Sequence, residues 1–171
     1  FEPLLYFKGL FGVIGIFYFL MCVPAVLVQV LSPNKFIGMV IFLVIFLGIQ
    51  TLPSLDFEHY LYRYAPPPAP YSDMNGYGHF AERFVAFSIY WAAFSGLLVV
   101  VAHLFFRRGN PGTAKAQLAV ARSRWSRVLA GWTAALAVLF VGTGAWIFYN
   151  TNVLNEYVTS DAQEKRQADY E

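Results

Sequence analysis

Two histidines and four carboxylates fall within one short stretch of this chain. Asp56, Glu58, His59, Asp73, His79 and Glu82 all lie in residues 56–83, DFEHYLYRYAPPPAPYSDMNGYGHFAER. Imidazole beside carboxylate is the chemistry of metal ligation and of general acid–base transfer. His79 and Glu82 stand three apart, which would put both side chains on one helix face. Tyr71, Asp73 and Asn75 join His79 and Glu82 as the candidate functional residues of the stretch. Against a metal site, the chain has no HExxH and no CxxC, and no paired zinc spacing. The plainer reading is polar residues that cap helices and meet lipid headgroups. It assigns no catalytic, cofactor-binding or metal-ligating residue to the chain.

The elements that must position these residues are set by composition. The chain is 58% hydrophobic and 13% charged, with a mean hydropathy of +0.51. Soluble domains carry about 25% charged residues, so the class is an all-α integral membrane protein. Four apolar runs, 7–31, 36–55, 84–106 and 128–149, each have 20 to 25 residues. Roughly 20 suffice for a helical crossing. The runs are continuous rather than alternating, which excludes barrel strands. Residues 56–83 then form a compact loop between the second and third spans, and 150–171 a polar linker. Within the loop, 57–64 and 78–84 read as short interfacial helices, with Tyr60, Tyr62 and Tyr64 as anchors. Pro66, Pro67, Pro68 and Pro70 stiffen the piece between them. Asn75-Gly76 is turn chemistry.

Charge gives direction. Residues 107–127 contain six bases (Arg107, Arg108, Lys115, Arg122, Arg124, Arg127) and no acid. Bases beside a span stay in the cytoplasm. The loop 56–83, the N-terminus and the tail are then extracytoplasmic, with the chain in a cytoplasmic membrane. Arg122, Arg124 and Arg127 are candidate cytoplasmic contacts, on an amphipathic helix over 114–127. That helix suits the inner leaflet or a cytoplasmic partner, and spacing does not separate the two. The bases sit between two spans, so nucleic acid is not the partner. No P-loop is present, so the chain supplies no ATP site of that kind. Cys22 is the only cysteine. Small pairs, Gly12 with Gly15, Ala93 with Gly96 and Gly131 with Ala135, mark close helix approaches. Gln50 reads as an interhelical hydrogen-bonding group, and His103 as a residue near the inner end of its span.

Three strings carry a resemblance: EPLLYFKGLFG at 2–12, LYRY with PPAPYSDMNGYGHF across 61–80, and WIFYNTNVLN at 146–155. They are similar to bacterial proteins in which an ABC type-2 permease region is fused to an aminopeptidase N-like zinc peptidase of the gluzincin class. The resemblance implies that the chain is the last part of a permease half plus one added crossing. It further implies a longer polypeptide, with a zinc-bearing peptidase domain beyond Glu171. The partners it implies are a separate ATP-binding subunit, other spans of the same polypeptide and, as an open arrangement, a dimer, all within the lipid bilayer. No cofactor is expected in this segment itself. Two other readings stay open: a small membrane enzyme using His59, His79 and nearby carboxylates, and an accessory subunit with no transport role.

Overall fold

The computed structural model describes residues 3–55, 57–106, 114–154 and 168. Four of its helices are long and apolar enough to cross a membrane: Pro3–Leu31, Lys35–Leu55, Phe80–Phe105 and Arg127–Leu154. A shorter helix, Ala114–Arg124, precedes the fourth span. Among the described residues there is no named strand; Ser72 and Gly76 form one isolated bridge. Each span begins slightly ahead of its apolar run. The tail beyond Leu154 and residues 107–113 lie outside the described residues.

Local chemistry sets the ends. The first span opens on Pro3, whose missing N–H would be unpaired there in any residue. It is π-helical over Lys8–Ile14 and carries Pro24 in its interior. It stops at Ser32, which is extended (φ −76°, ψ 142°). Ser32 precedes Pro33, and a residue before proline is pushed out of the helical region. Asn34 then caps the second span, its Oδ1 accepting the Phe36 N–H at 3.0 Å. Gln29 folds back and donates to the Lys35 carbonyl at 3.3 Å. Gly38 leaves room for it; a Cβ there would sit 2.6 Å from Gln29 Oε1. Ser126 caps the fourth span, its Oγ accepting the Leu129 N–H at 3.1 Å.

The third span is the hub. It packs on the first span, the short helix and the fourth span, while the second span leans on the first alone among the described helices. Phe84, Phe87, Trp91, Ala93, Ser95, Val100, Ala102 and Leu104 are buried along it. Its contact with the fourth span uses small residues as sockets. A Cβ on Gly96 would lie 2.9 Å from Leu136 Cδ2, and one on Gly144 2.9 Å from Tyr90 Cε2. Tyr90 stacks on Phe140 with centroids 4.6 Å apart. The fourth span therefore presents Leu136, Phe140, Gly144 and Ile147 inward.

Two expectations about helix faces need correction. Gly131 and Ala135 are exposed, and nothing lies within 4 Å of a Cβ built on Gly131 or Gly12. They stand on faces that no described helix covers, because Leu136 and Phe140 take the inward face instead. Gln50 is likewise exposed on the second span. Its amide meets no hydrogen-bonding partner among the described residues.

Gly142 and Gly144 offer an internal comparison on one helix. Gly144→Ala should destabilise the chain by about 1–3 kcal/mol, because its methyl must displace a stacked tyrosine ring. Gly142→Ala has open space and should be neutral or stabilising by up to about 1 kcal/mol, since alanine is the better helix former. Unfolding of both variants in detergent checks this; equal effects would show that the Tyr90 socket is not tight.

Candidate functional site

The site of interest is the cap formed by residues 57–79 over one end of the bundle. Its centre is Tyr64, which reaches between the first and third spans. Proline at position 24 has no N–H, so the carbonyl four residues earlier, on Leu20, loses its helical donor. The Tyr64 hydroxyl supplies one, donating to Leu20 O at 3.0 Å. Ser95 Oγ lies 2.6 Å from the same phenol oxygen. With the phenol proton on Leu20, the serine hydroxyl is the donor in that second bond. Tyr64 is only 5% exposed, and its ring meets Trp91 edge-on at 5.0 Å and Phe94 at 6.0 Å. Burial pushes the phenol pKa up, and the Ser95 hydrogen bond opposes that rise. The backbone of Tyr64 is left-handed, with φ +49°. That conformation is strained for a bulky residue, and it is held by the buried bonds of the side chain. Trp91 adds a second tie, its indole N–H donating to the Tyr60 carbonyl at 3.2 Å.

His59 makes a third tie, to the fourth span. Its Nδ1 accepts the Leu61 N–H at 3.1 Å, so in the neutral ring the proton sits on Nε2. Nε2 faces Thr151 Oγ1 at 3.1 Å. That hydroxyl in turn donates to the Ile147 carbonyl at 2.8 Å. The imidazole also packs against Tyr62 and Phe87. Burial, and secondarily the charge of Arg83, hold its pKa below the ordinary 6.5. A neutral His59 thus clamps the cap to the end of the fourth span, where the backbone becomes π-helical over Tyr149–Leu154.

The rest of the cap departs from the helical expectation. Residues 57–64 are turns rather than a helix, and 78–79 lead directly into the third span at Phe80. The positive φ of Tyr64 is incompatible with a right-handed helix at that point. Tyr64 is therefore a buried bolt and not an interfacial anchor. Gly76 and Gly78 take positive φ, +59° and +47°. A Cβ on Gly78 would also meet Asn75 Nδ2 at 2.7 Å, so only glycine fits that turn.

The candidate residues are spread around this turn. Tyr71 is exposed and edge-on to Tyr77 at 5.4 Å. Asp73 and Asn75 are exposed in the turn. His79 is exposed, with its ring 4.1 Å from that of Phe80. Glu82 is exposed in the first turn of the third span. Asp56 lies outside the described residues. Among the described residues no group of three or more His, Cys, Asp or Glu stands together as a metal could require. The structure does bring together Leu20, Tyr64 and Ser95 and, separately, His59 and Thr151. The one sequence signal for the first group was Pro24, which leaves a carbonyl to be satisfied.

At the opposite end, Arg124 closes the third span. Its guanidinium donates to the carbonyls of His103 at 3.1 Å, Leu104 at 3.3 Å, and Phe106. These are carbonyls a helix C-terminus leaves without partners. Ala121 is buried with Val100 and Leu104. Arg124 is thus occupied within the chain, whereas Arg122 and Arg127 are exposed. His103 is exposed beside a shallow apolar groove between the first and third spans, with Phe19, Cys22 and Phe106 in its walls. Comparison with protein-family models, curated proteins and solved structures gave no match.

Two outcomes follow for the cap. Tyr64→Phe strands a buried carbonyl and should cost about 1–3 kcal/mol. In a Pro24→Ala background, residue 24 regains its N–H and the same change should cost clearly less. Equal costs in a double-mutant cycle would mean that the phenol does not replace the helix bond. Separately, folding lowers the His59 pKa, so the unfolded chain binds its proton more readily. Stability should be full above pH 6.5 and fall as the pH drops through that value toward the folded-state pKa. His59→Gln should flatten this slope in thermal unfolding scans.

Proposed function

We propose that the chain is the membrane-spanning permease portion of an ABC-type transporter that also tethers an extracytoplasmic zinc aminopeptidase. The observation that carries this reading is which parts share an end of the bundle. The His59–Thr151 bond keeps the cap and the exit of the fourth span at one end. Arg124, with the last carbonyls of the third span, marks the other end. Bases of the segment 107–127 favour the cytoplasm for that second end. The chain then leaves the bundle on the outer side, where a peptidase of secreted substrates would stand. The three strings that resemble the permease–peptidase fusion support the same reading. ATP hydrolysis would come from a separate subunit docked at the basic end, and zinc would belong to the downstream domain. The cap residues Tyr71, Asp73, Asn75, His79 and Glu82 then form an outer surface and not a reaction centre.

A reporter active only outside the cytoplasm is the direct test. Fused after Glu171 it should be active; inserted at Ala116 it should be silent. The reverse pattern overturns the orientation and the tether with it. The full-length polypeptide should bind zinc stoichiometrically and cleave N-terminal amino-acid amides, while the isolated 171-residue chain should do neither. Stoichiometric zinc on the isolated chain would instead favour a site built from His59 or His79.

A further inference from the structure

The short helix Ala114–Arg124 carries two stripes of different character. Gln117, Ala121 and Arg124, at spacing i, i+4, i+7, are its least exposed residues. They face the bundle: Ala121 packs with Val100 and Leu104, and Arg124 caps the third span. A second stripe runs through Lys115, Leu118, Arg122 and, just past the helix end, Trp125, at spacing i, i+3, i+7, i+10. All four are exposed, Leu118 by 64% and Trp125 by 50%. Base, aliphatic, base and indole alternate along one line, and 107–127 contains no acid that could neutralise it.

We infer that the stripe Lys115–Leu118–Arg122–Trp125 is a binding surface for anionic phospholipid headgroups. The chemistry of each position fits that partner. Leu118 and Trp125 give the stripe an apolar component, and indoles settle at the boundary between headgroups and acyl chains. Lys115 and Arg122 stand beside them with three and five N–H donors, which meet phosphate oxygens. Arg124 and Ala121 tie its other face to the third span. The stripe is therefore held at the level where the third span ends and headgroups begin. An acidic protein surface would match the two bases but would leave Leu118 and Trp125 without a counterpart. The inference does not depend on the permease reading, because it concerns only this helix and the bilayer around it.

The test uses tryptophan quenching by brominated lipid. The full chain is reconstituted in vesicles of phosphatidylcholine mixed with phosphatidylglycerol, with bromine on the acyl chains of one lipid or the other. The Trp125 share of the signal is taken as the difference from Trp125→Phe. It should be quenched more by brominated phosphatidylglycerol than by brominated phosphatidylcholine. Each base near an anionic surface favours binding about five-fold, so the pair should enrich the anionic lipid on the order of twenty- to thirty-fold. Lys115→Gln with Arg122→Gln should equalise the two quenchers; Arg127→Gln, an exposed base off the stripe, should not. Equal quenching of the unaltered chain by both lipids overturns the inference. So does absence of quenching by either lipid, which would mean that water or protein covers the stripe.

Discussion

A single carbonyl governs how this bundle is put together. Proline at position 24 deprives the Leu20 carbonyl of its donor in the middle of an apolar helix, where no water can replace it. Leaving such a group unpaired costs a few kcal/mol. The chain answers with a tyrosine from the cap, driven into a left-handed backbone conformation so that its hydroxyl can reach. Ser95, on the hub helix, completes the arrangement by donating to the same oxygen. Three elements distant in sequence are thus joined at one point. The cap is not simply laid over the spans; it supplies a hydrogen bond that the first span lacks.

The other ties extend the same logic. Trp91 and Tyr60 bind cap to hub, and His59 and Thr151 bind cap to the fourth span. Trp91, on the hub, donates to a carbonyl of the cap, whereas His59, in the cap, meets a hydroxyl already fixed by the fourth span. Thr151 is held to its own helix through Ile147 before it meets the histidine. At the far end Arg124 performs the equivalent service for the third span, collecting carbonyls that the helix can no longer pair. In an apolar medium, dispersion alone distinguishes poorly between helix arrangements. These polar closures at both ends select one arrangement. Gly96 and Gly144 then let the hub and the fourth span approach closely between them.

What was legible in the sequence divides along that line. The four crossings were, because each is a continuous apolar run; the Asn34 and Ser126 caps at their ends emerged from the structure. The tight turn at Asn75–Gly76 was also foreshadowed by that pair, whereas the positive φ of Gly78 was not. The role of Tyr64 was not, because nothing near position 64 records that a carbonyl at position 20 needs a donor. Three tyrosines in LYRY and its neighbours look alike as interfacial anchors, and only packing separates the buried one from the exposed Tyr62. Small residues misled for a related reason. Gly131 with Ala135 and Gly144 have similar composition, but which face turns inward depends on Tyr90 and Phe140. His59 and His79 invited a common chemistry, yet one is a half-buried clamp and the other lies exposed on Phe80.

The clamp has a consequence for what can be attached beyond the fourth span. A span that ends in a flexible linker transmits little force to its bundle. Here the last turn is π-helical, and Thr151 within it is bonded to the cap histidine. Thr151 meets His59, whose Nδ1 accepts the Leu61 N–H, and three residues on Tyr64 bonds the first span. In the tether reading, the exit of the fourth span is thus linked through the cap to the kinked first span as well as to its own helix. The neutral state of His59 is the weakest point of that route, since a proton on Nδ1 would abolish the acceptor for Leu61. Burial against Phe87 and the nearby charge of Arg83 both disfavour that proton, which keeps the route closed at neutral pH.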